Sequence, residues 1–151
     1  MKDQNKMQKT IIRLVRSKQE LEQVLHIRRV VFTEEQKINE KLDRDGLDST
    51  AKHAIVLLKN KPIGCARIRF IDGGAKLERI AILKAYRGKG LGIALVNYLL
   101  SYCKRAKARQ VYMDSQHYLK EFYEKFGFKT KGKSFMEVGR KHIIMYKNLK
   151  Y

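Results

Sequence analysis

The segment Arg87-Gly88-Lys89-Gly90-Leu91-Gly92 constrains this chain more than any other, because it stands between a strand-like apolar run (residues 76–83) and a long apolar pattern of helical period (residues 90–105). Glycines at alternate positions let backbone amides turn inward with no Cβ atoms in the way, and a helix starting there adds its partial positive charge. Arg87 and Lys89 bring full charges to the same turn. The arrangement suits a pyrophosphate, although tight packing of a strand against a helix would also favour glycine. Two better-known glycine signatures do not fit. No Gly-Lys-Ser/Thr ending follows, as a nucleotide P-loop requires, and no G-x-G-x-x-G follows a first strand, as a dinucleotide fold requires.

At 151 residues, 44% of them hydrophobic, the chain has the size of one domain with a real core, here taken as residues 1–151. Residues 10–15 read as a first strand. Ser17-Lys18-Gln19-Glu20 has the form of a capping box, and Leu21, Val24, Leu25, Arg28, Val31 and Phe32 then recur at helical intervals up to about Thr33. Residues 34–52 are mostly polar, with a turn at Asp45-Gly46, and read as a mobile loop with room for a short helix. Residues 53–58, 62–70 and 76–83 form three antiparallel strands, joined by turns at 59–61 and Asp72-Gly73-Gly74. After the helix at 90–105 come a strand (110–114), a short helix (119–126) stopped by Gly127, and strands near 128–133 and 142–148. The order β-α-β-β-β-α-β-α-β-β is that of a mixed α/β sheet, with the glycine turn joining a central strand to a central helix.

The 34 Lys and Arg against 15 Asp and Glu give a formal charge of +19. Basic residues are scattered from Lys2 to Lys150 and not gathered on one element, so nucleic acid is not expected as the primary partner, while an anionic ligand fits. No window approaches the roughly 18 apolar residues of a membrane span, and the lysine-rich start at residues 1–9 has no cleavage site after it. A cytoplasmic protein without membrane contact is expected. Cys65 and Cys103 read as buried thiols, with no metal-ligand spacing around them. The last strand, 142–148, is taken as an exposed edge able to pair two subunits into a homodimer.

Leu77-Glu78-Arg79-Ile80-Ala81-Ile82, followed by Tyr86-Arg87-Gly88-Lys89-Gly90-Leu91-Gly92-Ile93-Ala94-Leu95, resembles the acetyl-CoA signature of the GNAT superfamily of N-acyltransferases, Arg/Gln-x-x-Gly-x-Gly/Ala. Phe122-Tyr123-Glu124-Lys125-Phe126-Gly127-Phe128 is similar to that superfamily's second cofactor element. Residues 29–36, Phe135-Met136-Glu137 and His142 also resemble a small bacterial YjcF-like branch. The resemblance implies the GNAT-like acyl-CoA N-acyltransferase fold and an acetyl-CoA-dependent N-acetyltransferase. Its acceptor is expected to be a primary amine of a small molecule or protein, attacking directly in a ternary complex and leaving CoA as product.

It also implies roles for residues. Backbone groups of Ile80, Ala81 and Ile82 would run beside the pantetheine arm where the central strands splay, often at a bulge, and the amides of Arg87, Gly88, Lys89, Gly90, Leu91 and Gly92 would hold the pyrophosphate. Tyr123 would contact the cofactor and protonate the departing thiolate; an aromatic packed on the sheet is the alternative. Glu78, two residues before Ile80 and so expected on the same face, would take the amine's proton, or else form a salt bridge with Arg67, Arg69 or Arg79. Gln116 stands where many relatives carry an asparagine that bonds the cofactor. Glu35, His117, Glu137 and His142 are candidates for shaping the acceptor pocket. No metal is expected. A CoA-binding module without turnover and a basic nucleic-acid binder remain as other classes of function.

Overall fold

A computed structural model of the chain describes residues 9–150; the lysine-rich start that bore on targeting lies largely outside them. Seven strands form a single sheet in the order β1-β2-β3-β4-β5-β7-β6. They are β1 (Thr10–Leu14), β2 (Lys52–Leu58), β3 (Lys61–Ile71), β4 (Gly74–Ile82), β5 (Gln110–Gln116), β6 (Lys129–Glu137) and β7 (Arg140–Asn148). The helices are α1 (Lys18–Arg28), which runs on as a wider π-helical turn over Arg29–Glu35, then α2 (Glu40–Asp43), α3 (Leu91–Arg105) and α4 (Lys120–Glu124). The expected element order stands, with α2 as the extra short helix.

Local chemistry sets these elements. Ser17 Oγ accepts from the Glu20 amide at 3.1 Å, as the capping box requires. The return leg differs: the Glu20 carboxylate accepts from the Arg16 amide at 2.6 Å and from both arms of Arg13 at 2.9 and 2.6 Å, because the guanidinium draws it one residue upstream. Lys59 and Asn60 (φ 50° and 66°), then Asp72 and Gly73 (φ 50° and 82°), make the left-handed two-residue turns that suit the twist of a hairpin. Gly127, at φ 90°, ends the short helix as expected.

Two cores cover the two faces of the sheet. Leu95, Val96, Leu99 and Cys103 of α3 pack with Tyr123, Phe128, Leu77, Met113, Ile143 and Met145 on one face. Val24, Ile27, Val31 and Phe32 pack with Ile55, Cys65 and Ala81 on the other. Cys65 and Cys103 are free and buried, as expected. Each fully buried aliphatic side chain contributes about 1.5–3 kcal/mol, so these layers supply most of the driving force for the fold.

Two expectations change. Residues 142–148 do not form an edge: β7 lies between β5 and β6, paired to both, so the edges are β1 and β6 and the surface proposed for a homodimer is already occupied. The polar stretch at 34–52 is not left loose either. Asp43, Asp45 and Asp48 tie it to Arg28 and Arg67, two guanidinium groups with side chains 0% exposed, and to Arg79.

Candidate active site

Strands β4 and β5 are parallel and keep register only at Ala75↔Val111 and Lys76↔Tyr112. Beyond these pairs the edge of β4 facing β5 has no strand partner. A bulge contributes to the divergence: Cys65↔Ala81 and Arg67↔Glu78 are paired with β3, so Arg79 and Ile80 together oppose Ala66, and Arg79 takes φ 55°. The extra residue reverses which face the side chains take. Ile80 packs with the α3 core, whereas Glu78 meets Arg67 and Arg69 on the α1 face. Glu78 and Ile80 therefore stand on opposite faces, which corrects the simple alternation expected of them.

A cavity of about 530 Å³ fills the opening. Its wall brings together Glu78, Ile80, Gln116, Tyr123, Glu137 and His142 of the candidate residues; Ala81, Ile82, Glu35, His117 and the glycine turn lie outside it. Ile38, Leu42, Asp43 and Asp45 of the strapped loop also line it, as does a Lys76–Asp114 pair at 3.2 Å. Sequence reasoning passed over these residues. The signal available was three aspartates within residues 43–48 of a chain with only 15 acidic residues.

Tyr123 is 4% exposed, with its ring edge-on to Phe122 and Phe128 at 5.1 and 5.9 Å. Burial pushes its phenol well above the ordinary value, so it keeps its proton and can donate it. Glu78 behaves differently. Burial would raise its carboxyl, but hydrogen bonds from Arg69 (2.5 and 3.3 Å) and the charge of Arg67 at 3.2 Å outweigh that and hold it below the carboxylate norm. Gln116 donates to Gln36 Oε1 at 2.8 Å and accepts from Arg140 Nε at 2.9 Å, tying the π-helical turn to β7. His142 is 6% exposed and stacks on Phe135 at 5.9 Å.

The glycine turn is exposed and opens α3 directly. Gly88 and Gly90 have φ 77° and 81°, a region that only glycine enters freely, and a Cβ at either would meet nothing within 4 Å. No side chain caps the helix, so its first amides are unpaired within the helix and available to an anion. Arg87, however, is turned away from this role. Its guanidinium grips Glu35 at 2.6 and 2.9 Å and donates to the Ile82 carbonyl at 2.8 Å. The hydrogen bond from Arg87 holds the Glu35 carboxyl below its usual range, which places Glu35 as a brace for the turn. Lys89 and Lys61 lie 5.8 and 5.6 Å from the centre of the Tyr86 ring.

The fold is that of the acyl-CoA N-acyltransferases: a crystal structure of that description from Pseudomonas aeruginosa matches with a TM-score of 0.82 at 25% identity, over 91% of this chain and 97% of that one. Two curated proteins of Bacillus subtilis are similar along their length. YyaT is 36% identical over 141 residues, 91% of this chain and 95% of its own; the N-acetyltransferase YjcF is 29% identical over 136 residues, 89% and 97%. Residues 16–149 match the model of the acetyltransferase (GNAT) domain, and the chain belongs to the GNAT acetyltransferase family.

Proposed function

We propose that the chain acts as one domain that transfers the acetyl group of acetyl-CoA to a primary amine of a small molecule or protein, by direct attack with both partners bound. The observation that carries this reading is the opening between β4 and β5, with a buried phenol inside it and an uncapped helix N-terminus beside it. The residues present suit a CoA thioester. Gly88 and Gly90 leave open space over the turn, the amides of Lys89 to Gly92 suit the pyrophosphate, and the unpartnered edge of β4 around Ile80 and Ala81 suits the amides of a pantetheine arm. Bound there, acetyl-CoA supplies an activated acyl group.

The protein's own groups then have distinct tasks. The Tyr123 hydroxyl donates a proton to the leaving sulfur, a role for which its raised pKa is suited. Glu78 is committed to Arg67 and Arg69, and its depressed pKa makes it a weak proton acceptor, so it anchors the charged wall of the cavity. Gln116, gripped on both sides, positions the end of β5. Direct attack also fits the cysteines: burial pushes Cys65 up to about 12 and Cys103 up to about 11, and neither lines the cavity to serve as an intermediate acyl carrier. Among the described residues no helix is long and apolar enough to cross a membrane.

Mixing the protein with acetyl-CoA and a panel of primary amines, and following free thiol, tests the reading. Thiol release that depends on the amine is expected. CoA binding with no release for any acceptor would instead favour a binding module without turnover.

A further inference from the structure

His142 joins a fixed tautomer to a place in the cavity wall. Its Nδ1 lies 2.8 Å from the Arg140 carbonyl oxygen, which can only accept, so Nδ1 carries the proton. In the neutral ring that leaves the lone pair on Nε2, which has no protein partner among the described residues and is not enclosed by them. The ring is 6% exposed, lines the cavity, and is held in plane by Phe135 with 24° between the rings. Strand register fixes its side of the sheet. Ile143 and Met145 belong to the α3 core with Tyr123, so His142 stands on the opposite, α1 face, directly paired with Gln116 of β5. The other charged groups of the cavity wall are committed: Lys76 with Asp114, Glu78 with Arg69, and Asp43 and Asp45 with Arg79, while Arg140 beside the ring donates its Nε–H to Gln116. Glu137, on the same hairpin, is exposed.

We propose that His142 Nε2 is the proton acceptor for the incoming amine, working from the face of the sheet opposite the Tyr123 hydroxyl. The assignment rests on the acetyltransfer reading above. In the complete step an alkylammonium gives one proton to Nε2, and the freed nitrogen bonds to the acyl carbon. The carbon–sulfur bond breaks as the sulfur takes the Tyr123 proton. The phenolate is reprotonated by the second nitrogen-bound proton, and His142 releases its own to solvent. One acetamide, one thiol and one proton result from one ammonium and one thioester. The two protein groups act from opposite ends of the opening, and neither has to move between faces.

The test compares the wild-type protein with His142→Gln and His142→Asn, using acetyl-CoA with an alkyl primary amine active in the panel and with aniline, which is already neutral at pH 7. Loss of general-base help should lower kcat on the alkylamine by about 100-fold or more at pH 7. The deficit should shrink toward the amine's own pKa and be small for aniline, with CoA affinity unchanged. A structural role would lower both acceptors alike at every pH, and that pattern, or full alkylamine turnover at pH 7, overturns the assignment. Nitrogen-15 NMR of the histidines gives a readout apart from activity: the Nδ1–H tautomer is expected for neutral His142, and the Nε2–H tautomer overturns the proposal. If the wild-type protein releases no thiol with any amine, acetyltransfer itself is refuted and the base assignment falls with it. Wild-type turnover with undiminished variants removes only the base.

Discussion

The left-handed turn at Gly90 and the place of Tyr123 in the cavity wall were legible because each residue belongs to a motif a few residues long, which can be read without knowledge of distant neighbours. The predictions at this scale follow from them. Gly90 sits at φ 81° in open space, so alanine there adds strain of about 1 kcal/mol while leaving the site uncharged. Gly90→Ala should keep measurable CoA affinity by calorimetry, and Gly90→Asp, which sets a carboxylate over the proposed phosphate site, should abolish it. Equal affinities for both would remove the turn from the binding site. Tyr123→Phe keeps the ring packing against Phe122 and Phe128 but deletes the hydroxyl proposed as the acid; kcat should fall about 100-fold or more while CoA affinity changes little. The role proposed for His142 was not readable in this way, because it depends on a carbonyl at Arg140 and on a strand partner at Gln116.

Elements were legible where turns announced them, and misread where pairing is remote. The three-strand meander could be taken from its turn residues, yet the strap over 39–50 could not, since its ion pairs join residues far apart in the chain, such as Arg67 with Asp45 and Arg79 with Asp43. The interior place of β7 did leave a trace. It alternates buried residues on both faces, whereas β6 carries Lys129, Lys131 and Lys133, the charge pattern of an edge. The bulge was expected through the family resemblance alone; its place at Arg79 had no local signature, because φ 55° is an unusual conformation for an arginine. Arg67, its own side chain 0% exposed, holds Asp45, Asp48 and Glu78, each of which keeps a second arginine partner, so Arg67→Ala should cost about 1–3 kcal/mol in urea unfolding through the lost charged hydrogen bonds. The same strap predicts an acid response. Asp45 is depressed chiefly by its hydrogen bond from Arg67; burial would raise Asp48 and Glu78, but their arginine partners pull them down. Depressed carboxyls add stability that is complete above their unfolded values near pH 4 and is lost as pH falls through their folded ones. The urea midpoint should therefore drop steeply between about pH 4 and pH 2, and Asp45→Asn should flatten that slope.

For the molecule as a whole, the formal charge of +19 belongs to its kinetics more than to its specificity. A CoA thioester is multiply anionic, so its association rate in stopped flow should fall several-fold as salt rises from about 20 mM to about 200 mM, as screening shortens the reach of the surface field. A rate indifferent to salt would show that scattered lysines give no steering. The sheet itself has a seam. Strands β1 to β4 meet β5, β7 and β6 through two residue pairs, and past them the edge of β4 has no strand partner, the place proposed for the pantetheine arm. Hydrogen exchange along β4 and β5 and nicking by trypsin should both slow when CoA is present, more than for strands β2 and β3. An enzyme finished by its own feedstock wears out sooner in famine than in plenty, so its lifetime among cellular proteases would report how much activated acetate is at hand.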